Sequence, residues 1–278
     1  SGCGYDRRSR FSPREPLREY GMRNRWYSIF KATLGPPLWI WNRPTIEGAE
    51  HIPDEGAVIL ASNHQAVLDS FYLPLMIRRQ IQFPAKKEYF TAPGLSGKLK
   101  KFFFTSVGQI PVDRAAAGAG DAMLNAAKEV LGRGDVFGIY PEGTRSPDGR
   151  IYRGRTGMAR IAMASGAPVV LVAMLGTREA NPIGTVVPRP AKVGIKISER
   201  IDPHAWAADN GFDPQSREVM RPFTDHVMHR LAGLAGYAYV DVYASDVKSA
   251  LEKTGAYPEG AEPGGEAETS FNPAGVAQ

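Results

Sequence analysis

His64 and Asp69 stand five residues apart in the run Ala57–Ser70 (AVILASNHQAVLDS), and they are the side chains best suited to moving a proton. An imidazole can act as a general base near neutral pH. A carboxylate on its Nδ1–H fixes the tautomer and leaves Nε2 free. On a continuous helix five residues turn through about 140°, so the two would not share a face. They meet only if His64 lies on a loop and Asp69 in the first turn of the following helix. The flanking sequence supplies both elements. Ala57–Ala61 is a short apolar run of β-branched and small residues, which reads as a strand buried on both faces of a parallel sheet. Asp69–Arg79 (DSFYLPLMIRR) opens a helical pattern. Asn63 and His64 then sit at the carboxyl end of a strand, where open α/β sheets place their ligands. Alone, such a pair is more often structural than catalytic.

Three further segments follow it: Gly-Gln-Ile-Pro-Val-Asp-Arg (108–114), Tyr-Pro-Glu-Gly-Thr-Arg-Ser (140–146) and Ala-Pro-Val-Val-Leu-Val-Ala (167–173). Arg114 closes a predicted strand, a position suited to gripping a phosphate with two parallel donors, or to facing solvent. Pro141 and Gly143 fit a tight turn that lets the backbone approach a ligand. Thr144 offers a hydroxyl and Arg145 a fork of donors, so this loop can hold an anionic headgroup. Glu142 is an odd phosphate ligand, and its expected part is to orient Arg145, Arg114 or an acceptor hydroxyl. Arg153 and Arg155 keep the next loop basic, although either can simply face solvent.

In order and spacing these four segments resemble the glycerolipid acyltransferases, of which the lysophosphatidic acid acyltransferases are typical. The resemblance runs from about Thr45 to Arg200. It implies one α/β domain with a mostly parallel central sheet flanked by helices, and a catalytic loop facing the Glu-Gly-Thr-Arg loop across one cleft. It implies that His64 takes the proton of an acceptor hydroxyl as that oxygen attacks a fatty acyl thioester, with Asp69 holding the imidazole. Acyl-coenzyme A or acyl carrier protein would be the donor substrate, with no other cofactor, and 1-acylglycerol 3-phosphate the acceptor. Glycerol 3-phosphate or another lysophospholipid would need the same base and the same phosphate grip. Asn63 would orient the loop, and Arg114, Gly143, Thr144 and Arg145 would fix the acceptor phosphate. Lys86 matches a lysine that the family carries after its strand, although a solvated lysine reads the same way. Gln109 and Tyr140 depart from the family pattern, which often has an apolar residue and a phenylalanine there.

Composition bounds the alternatives. The 278 residues suffice for one large α/β domain, and a 43% hydrophobic and 23% charged content fits an ordinary folded chain. The net charge of +5 is uneven: residues 1–31 hold eight Arg or Lys against three acids, whereas Lys253 faces four glutamates in the tail. That asymmetry suggests an anionic partner at the amino end. No nucleic-acid motif follows the basic arm, so a lipid surface is the expected partner rather than nucleic acid. The single Cys3 rules out an internal disulfide and fits a reducing compartment. No apolar run reaches the length of a transmembrane helix, and Arg-rich residues 1–25 are not followed by the apolar stretch of a secretory signal. A peripheral or monotopic place on the cytoplasmic face of the membrane is expected. A serine-hydrolase reading lacks the Gly-x-Ser-x-Gly elbow, and Gly97-Lys98 is followed by Leu99 rather than the Ser or Thr of a P-loop. His226 and His229 share a helix face but have no third ligand nearby, so no metal site is expected. A non-catalytic lipid-binding protein with a dead cleft stays open as a different class.

The organisation expected is a flexible basic arm (1–22), an amphipathic membrane-interface segment (23–43), the acyltransferase domain (44–252) and a disordered tail (253–278). Residues 23–43 hold three of the four tryptophans amid basic residues, a pattern suited to a headgroup boundary or to packing on the sheet. The pattern predicts strands at 44–53, 81–90, 107–113, 135–139, 168–175 and 193–197, and helices at 121–131, 156–165, 216–234 and 240–251. Residues 95–104 read as a second basic-aromatic patch, and 202–213 as irregular.

Overall fold

The computed structural model describes residues 28–29, 31–33, 35–86, 94, 109–112, 119–185 and 187–269, with the backbone alone at 86, 111, 112 and 119. The basic arm, the 95–104 patch and Arg114 lie outside the described residues. The centre of the molecule is β2 (Val58–Ser62), every residue of which is buried. It pairs in parallel with β6 (Val136–Ile139) on one side and β8 (Val169–Leu175) on the other. A two-residue β3 (Ile81–Gln82) extends the sheet beyond β6. Beyond β8 come β9 (Gly194–Ile201), the one antiparallel neighbour, and β1 (Thr45–Glu47) at the edge. The six strands run in the order β1-β9-β8-β2-β6-β3.

The central strands are apolar throughout because both faces are covered. Ile59, Ala61, Phe137, Ile139, Leu171 and Ala173 point into a core shared with α2 (Ala119–Gly132), α3 (Gly157–Ser165) and α6 (Met220–Ala235). Val58, Leu60, Val136, Val170, Val172 and Met174 face the other layer, where Tyr72 and Leu73 of α1 (Asp69–Met76) pack. Each fully buried aliphatic side chain contributes on the order of 1.5–3 kcal/mol relative to exposure, so losing β2 from the sheet would dismantle both cores at once.

The structure departs from the expected elements in four places. The predicted strand 81–90 divides after Gln82: β4 (Pro84–Lys86) leaves the main sheet and pairs with β5 (Ile110–Val112). Pro84 has no N–H to offer a central ladder, which accounts for the break. Residues 203–209 form helix α5 (Pro203–Asp209), not a loop; Asp202 accepts the backbone N–H groups of His204 and Ala205, and Pro203 takes the first helical position. The final helix α7 (Ala244–Thr254) starts later than predicted, after the short strand β10 (Tyr239–Val240). The segment predicted to be disordered from residue 253 is folded as far as Thr269. Its end forms β11 (Glu268–Thr269), antiparallel to β10, which in turn lies parallel to β7 (Ile151–Tyr152).

Arg150 explains why an acidic, Gly- and Pro-rich tail folds back. Its guanidinium is almost fully buried and donates to Glu268 Oε2 at 2.7 Å, to the carbonyls of Glu262 and Ala261, and to Asp148 at 2.9 Å. Tyr152 and Tyr257 add their hydroxyls to Asp148 Oδ2. Breaking such a buried network by removing one partner typically costs about 3–5 kcal/mol. Arg150→Ala is expected to lower stability by that order and to expose residues 255–269 first. Hydrogen exchange should then show early loss of protection at the Asp241 amide, which donates to the Ala267 carbonyl, and at the Ala267 amide, which donates to the Gly260 carbonyl within the tail; unchanged protection there would exclude this clasp.

Candidate active site

The loop after β2 brings the predicted pair together. His64 Nδ1 lies 2.9 Å from Asp69 Oδ2, and Asp69 opens α1 fully buried. The same oxygen accepts the backbone N–H of Gln65 at 2.6 Å and of Ala66 at 2.9 Å. Three donors converge on one carboxylate oxygen, so the loop wraps around Asp69 and presents His64 at its rim. The imidazole side chain keeps 17% of its surface exposed, and Nε2 has no partner among the described residues. With Nδ1–H donated to Asp69, Nε2 carries the lone pair, which is the tautomer a general base requires.

The second loop, 140–146, follows β6 on the same carboxyl edge of the sheet. Tyr140 stacks on the His64 ring at 3.9 Å between centroids and 11° between planes. Burial pushes the Tyr140 hydroxyl well up, so it stays neutral, and it shares a hydrogen bond of 3.0 Å with Ser70 Oγ. Ser146 N–H donates to the His64 carbonyl at 2.7 Å. The His64 N–H donates to Glu142 Oε1 at 3.2 Å, and Tyr152 N–H to Glu142 Oε2 at 3.0 Å. Both backbone groups of His64 are therefore tied to the second loop.

These contacts sort the predicted residues. His64 and Asp69 meet as expected. Asn63 is fully buried and pairs both ways with the Met174 backbone, donating at 3.0 Å and accepting at 2.7 Å. It orients the loop by stapling β2 to β8, and has no surface left for substrate. Glu142 does not orient Arg145 or an acceptor: at 1% exposure it bridges two backbone amides. Gly143 occupies the left-handed region at φ 75°, on the exposed tip of the turn, where a Cβ would come within 3.3 Å of Arg155. Thr144 and Arg145 are half-buried beside it. Lys86 ends β4 opposite Val112, with its side chain not described. One residue near the loop was missed: Lys248 of α7 donates to Thr144 Oγ1 at 2.8 Å. The sequence predicts this stretch only as a helix, and the contact joins residues 104 apart in the chain. His226 and His229 pack on Trp206 and Tyr239, and no three His, Cys, Asp or Glu side chains among the described residues are placed to hold a metal ion.

The His64–Asp69 pair lies on the carboxyl edge of a parallel sheet, beside the turn that carries Thr144 and Arg145. Residues 43–175 match the family model described as Acyltransferase. The chain is 31% identical over 177 residues to a 1-acyl-sn-glycerol-3-phosphate acyltransferase of Limnanthes douglasii, covering 63% of this chain and 60% of the relative. It is 30% identical over 158 residues to the chloroplastic 1-acyl-sn-glycerol-3-phosphate acyltransferase LPAT1 of Arabidopsis thaliana, covering 56% and 43% of the two chains. Among solved structures it is similar to the 1-acyl-sn-glycerophosphate acyltransferase PlsC of Thermotoga maritima, with a TM-score of 0.56 and 26% identity over 79% of this chain and 82% of that one. The chain thus spans less than two thirds of the curated relatives it matches.

Burial raises the Glu142 carboxyl from the ordinary 4.5 to about 8, against the opposing pull of its two amide bonds. A carboxyl that holds its proton longer in the folded state contributes stability that is full below the unfolded value and lost as pH rises through the folded one. In the wild type, unfolding free energy from this group therefore falls between about pH 4.5 and 8 and is flat above. Glu142→Gln removes that slope and, by turning an amide donor toward a backbone N–H, costs about 1–3 kcal/mol. Urea midpoints of both proteins from pH 5 to 9 check this. A difference between them that does not change with pH would mean that Glu142 carries no proton.

Proposed function

We propose that this chain transfers a fatty acyl group from an acyl thioester to the hydroxyl of 1-acylglycerol 3-phosphate, giving phosphatidic acid. The reading rests on one observation above all: an unpartnered His64 Nε2, set by Asp69 at 2.9 Å, on the edge that also carries the Gly143–Arg145 turn. In the reaction Nε2 takes the proton of the acceptor hydroxyl while its oxygen bonds to the thioester carbonyl. Collapse of the tetrahedral adduct breaks the carbon–sulfur bond, and the imidazolium returns the proton to the leaving thiolate. Asp69 stabilises the imidazolium between the two steps. Arg145, Thr144 and Arg114 hold the acceptor phosphate in this reading, so that binding energy aligns the hydroxyl. Acyl-coenzyme A or acyl carrier protein supplies the acyl group. Glycerol 3-phosphate or another lysophospholipid would satisfy the same groups, and acceptor preference decides among them.

The enzyme works, in this reading, as a peripheral protein at a membrane surface. Among the described residues no helix is long and apolar enough to cross a membrane. Residues 35–42 are helical and leave Trp39, Ile40 and Trp41 exposed by 60, 75 and 52%. Beside them an apolar groove of about 410 Å³ runs between this helix and Tyr72, Leu75 and Met76 of α1, one to two turns from Asp69. Indole rings favour the headgroup boundary, where a lysophospholipid is presented.

Thiol release from palmitoyl-coenzyme A, followed with each acceptor, tests the chemistry. Wild type is expected to release thiol only with acceptor present, His64→Ala to lose about 10²–10⁴-fold, and Asp69→Asn a similar factor. Acceptor-dependent release that survives in His64→Ala would overturn the mechanism; intact lipid binding without turnover with either donor would favour a lipid-binding protein. Sedimentation with anionic vesicles tests the surface: Trp39→Ala/Trp41→Ala should reduce the bound fraction several-fold at unchanged turnover of a short-chain, water-soluble acceptor. Undiminished binding would remove the anchor.

A further inference from the structure

We infer that Lys248 is a specificity-determining residue of this site and binds a phosphate group of the substrate together with Thr144 and Arg145. The inference rests on the acyl transfer proposed above and adds a residue from outside the 43–175 region that the family model covers.

Helix α7 is fastened over the second loop. Ala244 and Val247 bury themselves against Tyr152, Val240 and Ala261, which turns Lys248 toward the loop. At the start of the helix, Ser245 Oγ accepts from Arg155 Nη2 at 3.0 Å, and the Tyr243 ring lies 5.0 Å beneath the same guanidinium. Arg155 in turn packs against Gly143. The Lys248 ammonium then donates one of its three hydrogens to Thr144 Oγ1. Thr144 accepts in that bond, so its own O–H and two ammonium hydrogens remain to be donated. Every polar hydrogen left on the pair suits an acceptor-only ligand.

The charges give the same answer. None of the ion pairs found among the described residues includes Lys248, Arg145, Arg155 or Arg178. Burial lowers the Lys248 pKa, and Arg145 and Arg178 lower it further, while Glu252 and Glu142 oppose them from beyond ion-pair range. Half-buried Lys248, Arg145 and Arg178, with no carboxylate in ion-pair contact among the described residues, are unfavourable by themselves. A phosphate monoester, with a charge of about −1.5 to −2 at neutral pH, relieves that crowding. The phosphate can belong to the acceptor or to a coenzyme A donor, and the two sources separate kinetically.

The test compares wild type with Lys248→Gln and Lys248→Arg, using 1-acylglycerol 3-phosphate, its phosphate-free counterpart 1-acylglycerol, and palmitoyl-coenzyme A. Loss of a charge-assisted hydrogen bond is expected to raise KM for the phosphorylated acceptor about 10-fold or more in Lys248→Gln. The preference for that acceptor over 1-acylglycerol should fall by the same factor, and Lys248→Arg should recover most of it. A rise in KM for palmitoyl-coenzyme A instead would assign the phosphate to the donor and still place Lys248 on a phosphate. A structural lysine would lower kcat for both acceptors alike and leave the preference unchanged; that result, or no change at all, overturns the inference. Glycerol 3-phosphate titrated by 31P NMR serves as a probe that needs no turnover. Weaker binding to Lys248→Gln than to wild type supports the phosphate site even if the proposed reaction fails; equal binding together with an unchanged KM for palmitoyl-coenzyme A overturns it even if the reaction stands.

Discussion

Everything at this site depends on one buried oxygen, Asp69 Oδ2, and the three donors it gathers. The Gln65 and Ala66 amides and His64 Nδ1 all end on it. A buried carboxylate without donors would be costly, so the chain folds only with the loop closed around Asp69. The closed loop is the conformation that exposes Nε2. Folding stability and the position of the base are thus set by the same contacts. Asn63 completes the arrangement from the other side, where its amide caps the backbone of Met174 and holds β2 against β8.

The second loop extends that constraint to the substrate groove. Glu142 and Ser146 take the N–H and the C=O of His64, and Tyr140 lies flat on its ring. The residues between them, Gly143 to Arg145, are the ones free to meet a ligand. His64 and the Gly143–Arg145 turn are parts of one hydrogen-bonded unit, so their separation is fixed by the fold. For the acyl transfer proposed above, that pre-organisation would let phosphate binding align a hydroxyl several bonds away.

The sequence was legible where local chemistry dictates structure. Apolar runs marked β2, β6 and β8, and the impossibility of a shared helical face placed His64 on a loop and Asp69 in a helix. It was misleading where a side chain's partner is distant in the chain. Glu142 looks like a polar loop residue until Tyr152 and His64 are seen to need its two oxygens. Pro84 could have announced the break between β3 and β4, and Asp202-Pro203 is a helix start that composition hid beneath the irregular pattern after it. The acidic tail failed for a different reason. Its composition lacks the apolar area to fold alone, and it folds because Arg150 offers a buried guanidinium that Glu268 and two carbonyls satisfy.

That last contact ties the two halves of the site's chemistry together. Asp148 and Arg150 directly follow the Tyr140–Ser146 loop, so the clasp that folds the tail is anchored on the loop that fixes His64. The tail then returns α7 to the outer side of the same loop, where Lys248 reaches Thr144. The His64–Asp69 pair is built from residues whose spacing is local, and it reads out of the sequence. The Lys248–Thr144 contact is assembled across 104 residues, through the packing of α7. Under the inference drawn for Lys248, differences in acceptor among chains sharing the His64–Asp69 arrangement are to be sought at the contact of α7 with Thr144.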